Sequence, residues 1–303
     1  MKKGEIMNKN ISVIGAPLDM GGVRQGSRFA PDTLRLLGLI DKIKRLGLDI
    51  DRDFNLDVKN GYKLEKSEDN LNHLDMILEQ LDILFESVKN QMEEGRLPLV
   101  IGGDHTTVLG TMKGVLNNYP NAGLIYFDAH ADINTTETSP SGNIHGMPIA
   151  ALIGMGDERL KAVGGNLTLN PENIVYVGLR DLDNGEKEIL KENNIKCYTI
   201  ADIDQLGMGR VMDEALEYLK NTDGVHVSFD VDCLDPIFAP GTGIHLFGGL
   251  NFREARLGLE KCHASGKVLS LEFVELNPLL DYDNKTAELL IELICAGLGE
   301  VRL

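Results

Sequence analysis

The chain has 303 residues, of which 43% are hydrophobic and 25% are charged, as in ordinary globular proteins. It contains 30 Lys and Arg residues against 47 Asp and Glu residues, a formal net charge of −17. Nucleic acids and anionic membranes are therefore disfavoured as partners, because like charges repel, and no apolar run is long enough for a transmembrane helix.

The cysteines and the N-terminal segment indicate a cytoplasmic protein. The four cysteines are far apart and form no CxxC pair, which disfavours a disulfide framework and a thiolate zinc site. The first ten residues carry basic side chains, but the chain has no apolar core of the kind a signal peptide needs behind them, so we expect no signal peptide.

Apolar, strand-like runs alternate with helix-like segments along the whole chain. Helical spacing of apolar residues is clearest at 71–95 and 284–299. Near-continuous apolar strands are typical of a parallel sheet that is covered by helices on both faces. We therefore predict an α/β fold with a mostly parallel sheet, in a single domain over residues 1–303. The predicted strands lie at 11–18, 97–103, 122–128, 173–179, 196–200, 224–232 and 267–276.

Three of these runs end in acidic residues and histidines. The run at 97–103 is followed by Asp104 and His105, and the run at 224–232 ends with Asp230 and Asp232. The run at 122–128 ends with Asp128 and is followed by His130 and Asp132. Because alternate residues of an extended chain point to the same side, we expect the last two sets to converge, that is, Asp230 with Asp232, and Asp128 with the residues at 130 and 132. Ligands of such sheets bind beyond the carboxyl ends of the strands, where these residues lie.

Four carboxylates packed together raise one another's pKa unless cations compensate their charge. Two divalent cations would balance the four charges, and neutral His105 and His130 would complete the ligand set. Oxygen and imidazole ligands without thiolate suit Mn²⁺ and leave Fe²⁺, Co²⁺ or Zn²⁺ open. One aspartate cluster after a strand often only caps a helix or shapes a turn. Three clusters that include two histidines favour a binuclear metal site.

Six motifs resemble those of the ureohydrolase family and of the arginases within it. They follow the family's order and spacing over nearly the whole chain. The resemblance implies a three-layer α/β/α domain around a parallel sheet of about eight strands. The motifs are GGDHT (102–106), FDAHADIN (127–134), SGNIHGMP (141–148), GLRDLDNGE (178–186), SFDVDCLDP (228–236) and VELNP (274–278).

The resemblance also implies the metal ligands and the reaction. One Mn²⁺ would take His105, Asp128, Asp132 and Asp230, and the other would take His130, Asp128, Asp230 and Asp232. Asp128 and Asp230 would thus bridge two ions, and a hydroxide held between the ions would attack the guanidinium carbon. The implied reaction converts L-arginine and water to L-ornithine and urea.

Three catalytic roles follow from the same resemblance. Glu275 would hold the guanidinium group, and Asp132 would also orient the attacking hydroxide. His145 would shuttle protons and protonate the leaving amine, a role that suits imidazole near neutral pH. Taken alone, His145 would more often be a loop histidine with a structural hydrogen bond, but the surrounding SGNIHG pattern favours the catalytic role.

The residues that would contact the amino-acid end of the substrate should distinguish arginine from agmatine. By resemblance, Asn134, Ser141 and Asn143 would bind the α-carboxylate, whereas Asp183 and, less directly, Glu186 would face the α-ammonium. Agmatine has no carboxylate, so the pattern favours arginine. An agmatinase or another guanidino-acid hydrolase is the first alternative, and a non-catalytic regulator that binds metal or arginine is a second.

Four positions depart from the usual pattern or lie beside it. Ile244 stands where the family usually has a threonine near the guanidinium-binding glutamate, and His245 stands where a proline is common. We interpret His245 as an exposed or structurally bonded loop residue. Cys233 should pack away from the metals by alternation, and Asp104 should orient His105 or the loop rather than bind metal. The resemblance further implies a homo-oligomer, a trimer or a hexamer.

Overall fold

The computed structural model describes residues 10–61 and 67–301, so the N-terminal segment on which the signal-peptide expectation depends lies outside the described residues. Within these ranges, eight parallel strands form one sheet in the order β2-β1-β3-β8-β7-β4-β5-β6. The strands are β1 Asn10–Gly15, β2 Asp49–Asn55, β3 Leu97–Ile101, β4 Gly123–Phe127, β5 Ile174–Leu179, β6 Lys196–Thr199, β7 Val225–Asp230 and β8 Val268–Val274.

Helices cover both faces of this sheet, and each face has its own apolar core. One core packs the helices within residues 30–45 and 200–297 against the sheet, and the other packs the helices within residues 74–192 against the opposite face. In β4, Ile125 and Phe127 belong to the first core, whereas Leu124 and Tyr126 belong to the second. This alternation explains why buried strands are apolar throughout, and it confirms the predicted α/β/α fold.

The two helices that we predicted begin and end close to their predicted boundaries. The segment predicted at 71–95 is α3, and the segment predicted at 284–299 is α11. The helices are α1 Ala30–Leu36, α2 Leu39–Arg45, α3 Leu74–Glu93, α4 Thr107–Asn118, α5 Pro148–Leu152, α6 Glu158–Lys161, α7 Asn184–Glu192, α8 Ile200–Leu206, α9 Met208–Tyr218, α10 Phe252–Ala264 and α11 Lys285–Gly297.

Strand β2 is the one strand of the sheet for which no apolar run was found. Its sequence DIDRDFN is mostly exposed, and it pairs only with β1 at the edge of the sheet. Charged side chains protect such an edge from pairing with other chains. The same charges remove the apolar signal from which the other seven strands were predicted.

The four central strands, β3, β8, β7 and β4, direct their carboxyl ends to the same edge of the sheet. The loop after β1 closes over the end of β3, where Asp104 N donates a hydrogen bond to Leu18 O at 2.7 Å. Gly103 permits this approach, because a Cβ atom at this position would lie 1.6 Å from the Leu18 carbonyl oxygen. The residues that follow these four strands therefore meet beneath one loop layer.

Candidate metal centre and substrate pocket

The side chains that follow β3, β4 and β7 converge on His105. Its Nδ1 atom lies 2.9 Å from Asp128 Oδ2, 3.2 Å from Asp132 Oδ2 and 3.1 Å from Asp230 Oδ2. All four residues are buried. The three carboxylate oxygens and the imidazole nitrogen thus surround one small volume, as the four-residue set predicted for the first cation requires.

A second group lies beside the first and shares Asp128 with it. His130 Nδ1 lies 3.4 Å from Asp128 Oδ1 and 3.1 Å from Asp232 Oδ2. The potential ligand atoms of these three residues lie within 4.8 Å of one another, as do those of His105, Asp128 and Asp132. We call the six side chains of the two groups the carboxylate floor; they are His105, Asp128, His130, Asp132, Asp230 and Asp232.

Backbone amides hold three of the floor carboxylates by one oxygen each. His130 N donates to Asp128 Oδ1 at 2.7 Å, and Asp232 N donates to Asp230 Oδ1 at 2.6 Å. Ala129 N donates to Asp232 Oδ1 at 3.3 Å. In Asp230 and Asp232 the other oxygen faces a histidine of the floor. These bonds fix the orientation of the carboxylates without occupying all their acceptor sites.

The floor does not converge in the way that we expected from an extended chain. Strand β4 ends before Asp128, and Asp132 has a left-handed backbone with φ 51°. Asp232 belongs to a short 3-10 helix, Val231–Cys233, rather than to β7. The assumption of strand alternation was therefore wrong, because both segments turn at the edge of the sheet. Cys233 is nevertheless buried in an apolar core, as predicted.

The electrostatics of the floor fit divalent cations. Burial raises the pKa of Asp128 to about 6, and repulsion from Asp132 and Asp232 adds to the effect. Burial and the same kind of repulsion hold the pKa of Asp230 well above its ordinary value. Among the described residues, neither His105 Nδ1 nor Asp128 Oδ2 has a hydrogen-bond partner of good geometry. Cations would satisfy both atoms and offset the repulsion, so the residues present fit a metal pair.

Glu275 lies next to the floor and contacts His145. Its Oε1 atom lies 3.1 Å from His145 Nδ1 and accepts a hydrogen bond from His105 N at 3.0 Å. Burial opposes a charge on His145, but the hydrogen bond and the charge of Glu275 outweigh it and raise the pKa of His145 to about 9. Glu275 has φ 63°, a conformation that side-chain-bearing residues rarely adopt outside functional sites.

A cavity of about 410 Å³ opens above the floor, and every predicted substrate-binding residue lines it. Asn134 Nδ2 donates to Asp183 Oδ2 at 2.8 Å, so the two predicted positions are in direct contact. Asp183 and Glu186 also form the capping box of α7. Burial raises the pKa of Glu186 to about 7, and the charge of Asp132 contributes. We call these residues the pocket rim; they are Asn134, Ser141, Asn143, Asp183 and Glu186.

The departures from the family pattern lie in one loop beside Glu275. Ile244 lines the cavity, and Thr242 Oγ1 is buried without a hydrogen-bond partner in the described part of the chain. His245 is exposed, and its Nε2 lies 2.7 Å from Pro240 O. The interpretation of His245 as a structurally bonded loop residue is thus confirmed. Asp104 accepts hydrogen bonds from Gly21 N and Thr106 N, so it positions the loop after β1, as expected.

Sequence reasoning missed three residues that support the floor. Tyr126 stacks on His105 with ring centroids 4.3 Å apart and donates to Asp132 Oδ2 at 2.7 Å. Ser228 Oγ lies 2.9 Å from His105 Nε2. Arg180 donates to the carbonyl oxygens of the 230–234 turn and of Leu246. Tyr126 and Ser228 are polar residues within apolar strand runs, a pattern that could have indicated a role at the site. Arg180 follows a strand run, and its sequence position gave no such indication.

The sequence model of the arginase family matches residues 9–299. Arginase from Bacillus caldovelox is 44% identical over 295 residues, which cover 96% of this chain and 99% of that protein. Arginase from Bacillus subtilis (strain 168) is 43% identical over 295 residues, which cover 97% and 99% respectively.

Solved structures agree with this match. The structure of Bacillus caldovelox arginase superimposes with a TM-score of 0.94 and 43% identity, and covers 98% of this chain and 100% of that chain. Entamoeba histolytica arginase, solved in complex with L-ornithine, has a TM-score of 0.90 at 29% identity, with coverage of 96% and 99%. The fold, the floor and these matches agree, and the predicted family is confirmed: the chain belongs to the arginase family.

Proposed function

We propose that this chain hydrolyses L-arginine to L-ornithine and urea. The observation that carries the proposal is the carboxylate floor, which opens into a cavity beside Glu275. The five polar residues of the pocket rim line the same cavity. Full-length relatives named arginase support it, as does the relative solved with L-ornithine, the amino-acid product of this reaction.

Two divalent cations would be held by the floor, with Asp128 and Asp230 shared between them. Oxygen and imidazole donors suit Mn²⁺, and Fe²⁺, Co²⁺ or Zn²⁺ are the alternatives. When bound, such a pair supplies the Lewis acidity that lowers the pKa of a water molecule to near neutrality. Asp128, one of the two shared residues, contacts His105 through one carboxylate oxygen and His130 through the other.

The remaining steps belong to side chains of the chain itself. Glu275 binds the guanidinium through charge-assisted hydrogen bonds and places its carbon above the floor. Asp132 accepts a hydrogen bond from the attacking water and orients it. Burial opposes a charge on His145, but the contact with Glu275 raises its pKa to about 9, which suits a group that gives a proton to the leaving nitrogen as the carbon–nitrogen bond breaks. The oxygen of water remains on the carbon in urea, and ornithine leaves as the amine.

The pocket rim would select the amino-acid end of the substrate. Asn134, Ser141 and Asn143 offer neutral polar groups for the α-carboxylate, and Asp183 and Glu186 face the α-ammonium. Asn134 and Asp183 already contact each other, so the substrate would meet a preorganised pair. Agmatine would leave the carboxylate-binding groups unpaired, and unpaired buried polar groups discriminate strongly between such substrates.

The test is urea release from L-arginine and from agmatine in parallel, after metal-stripped protein has been loaded with Mn²⁺. Urea from arginine alone is the expected result. Urea from agmatine alone would overturn the substrate assignment and keep the reaction class. Binding of arginine without urea from either compound would indicate a regulator rather than an enzyme.

We infer the assembly from the family and the location from the four widely spaced cysteines. We expect a homo-oligomer, a trimer or a hexamer, whose mass light scattering would measure directly. We expect it in the cytoplasm, which cell fractionation would test. Among the described helices, none combines the length and the apolarity needed to cross a bilayer.

A further inference from the structure

A chain of fully buried polar side chains extends from His105 into the centre of the sheet. Ser228 Oγ lies 2.9 Å from His105 Nε2 and donates a hydrogen bond to Glu272 Oε2 at 3.0 Å. The other carboxylate oxygen, Glu272 Oε1, accepts a hydrogen bond from Thr111 Oγ1 at 2.6 Å. None of these four side chains is exposed to solvent, and the reaction described above does not use Glu272.

The sheet register fixes this arrangement. Ser228 in β7 and Glu272 in β8 are direct partners across the two parallel strands, and Thr111 reaches Glu272 from α4. Neighbouring strands hold such pairs at a constant separation. The backbone therefore holds the two residues side by side, and the Thr111 hydroxyl holds the other carboxylate oxygen of Glu272.

An ionised carboxylate can only accept hydrogen bonds, so the direction of each bond in this chain is determined. Both carboxylate oxygens of Glu272 accept a hydrogen bond from a hydroxyl group, and His226 Nε2 lies 3.7 Å from Oε2, so these surroundings favour the ionised form. The Ser228 proton then points to Glu272, and the Ser228 oxygen presents a lone pair to His105. His105 must accordingly carry its proton on Nε2.

The opposite nitrogen of His105 is the atom that faces the floor. Nδ1 lies within 3.2 Å of one oxygen each of Asp128, Asp132 and Asp230. A cation can bind an imidazole nitrogen only if that nitrogen has no proton. In metal sites a carboxylate often fixes the histidine tautomer by direct contact. Here a serine hydroxyl separates the carboxylate from the histidine.

We propose that Glu272 is a positioning residue for the metal site: acting through Ser228, it keeps the proton of His105 on Nε2 and leaves Nδ1 free to bind a divalent cation. The inference rests on the proposed metal site. Glu272 contacts neither the substrate nor the reacting atoms.

The first experiment measures Mn²⁺ binding to metal-stripped protein by calorimetry, in the wild type and in Glu272→Gln. The amide keeps the shape of the carboxylate but can donate to Ser228, which then turns its proton towards His105 and favours the wrong tautomer. We expect the affinity of one of the two Mn²⁺ ions to fall about tenfold. An unchanged affinity in folded Glu272→Gln protein would overturn the proposal.

Thr111→Val is the matched control, because it removes the other hydrogen bond of Glu272 and leaves the Ser228 bond in place. We expect its Mn²⁺ affinity to stay within about twofold of the wild type. A merely structural role of Glu272 would weaken binding equally in both variants, and that outcome would contradict the proposal.

Ser228→Ala tests the connection between Glu272 and His105 and does not depend on whether Glu272→Gln folds. We expect the same tenfold loss in Ser228→Ala, and no further loss when Glu272→Gln is added to it. Full Mn²⁺ affinity in Ser228→Ala, or additive losses in the double variant, would refute the relay.

The tautomer can also be observed directly. In Zn²⁺-loaded protein with ¹⁵N-labelled histidine, we expect His105 to show its bonded proton on Nε2 in the wild type. Because these readouts need no turnover, wild-type protein that binds two Mn²⁺ ions but releases no urea would refute the proposed function alone. Wild-type protein that binds no metal would overturn both.

Discussion

The carboxylate floor and the pocket rim both contribute side chains to one cavity, but the chain builds them in different ways. Floor residues lie at the ends of three central strands of the sheet. Backbone amides or the buried Tyr126 hydroxyl donate hydrogen bonds to their carboxylate oxygens. Rim residues lie on two loops and in the first turn of α7. Ser141 is exposed, Asn143 and Asp183 are partly exposed, and Asn134 and Glu186 are buried. A rigid floor suits the chemistry that every substrate shares, whereas loops can change to suit the part of the substrate that differs.

The two regions also differ in charge. The floor gathers four buried carboxylates whose mutual repulsion requires cations. The rim has two acidic residues, Asp183 and Glu186, and both accept backbone hydrogen bonds within the α7 capping box. Changes in the floor should therefore abolish the reaction for all substrates, and changes in the rim should alter the choice between substrates.

The largest effect is expected for the shared ligand. Replacing Asp128 by Ala should lower metal content more than replacing His105 by Ala, because Asp128 contacts both histidines of the floor. We expect activity to fall roughly 10³-fold or more, since the cation pair supplies the nucleophile. Metal analysis per chain after dialysis measures the difference. Equal metal content in Asp128→Ala, Asp230→Ala and His105→Ala would refute the bridging assignment.

Glu275 lies between the two regions and should separate binding from metal content. In Glu275→Gln we expect kcat/KM for arginine to fall about 10²-fold, because a buried charge pair with the guanidinium is lost. Metal content should stay at the wild-type level, which distinguishes this position from the floor. Loss of metal together with activity would show that Glu275 supports the floor through its contact with His105 instead.

The same contrast explains what could be predicted from the sequence. The floor residues and the central strands were found because buried strands are apolar and their ends carry unusual clusters of Asp and His. The turns that bring Asp132 and Asp232 into place were not found, since a left-handed residue and a single 3-10 turn leave no periodic pattern. Strand β2 was missed because its edge position favours charged residues, and the Asn134–Asp183 contact joins segments far apart in sequence.

A rim substitution should change substrate choice rather than chemistry. We expect Asn134→Ala to lower kcat/KM for arginine about tenfold, because a polar contact to the α-carboxylate is lost. The inhibition constant of agmatine, which lacks the carboxylate, should change far less. Steady-state assays with agmatine as competitor measure both quantities in one preparation. An equal loss for both compounds would show that Asn134 does not read the carboxylate.

The smallest effect is expected at Ile244, where the loop of the cavity approaches Glu275. A Cβ atom at the adjacent Gly243 would lie 3.9 Å from Glu275 Oε2, so the loop backbone is close to this carboxylate. In Ile244→Thr the new hydroxyl should donate to Glu275 and raise kcat/KM for arginine about threefold, which corresponds to one modest hydrogen bond. Ile244→Val is the matched control, because valine has the shape of threonine without the hydroxyl. If the two variants behave alike, the gain comes from the smaller side chain, and Glu275 needs no support from this loop.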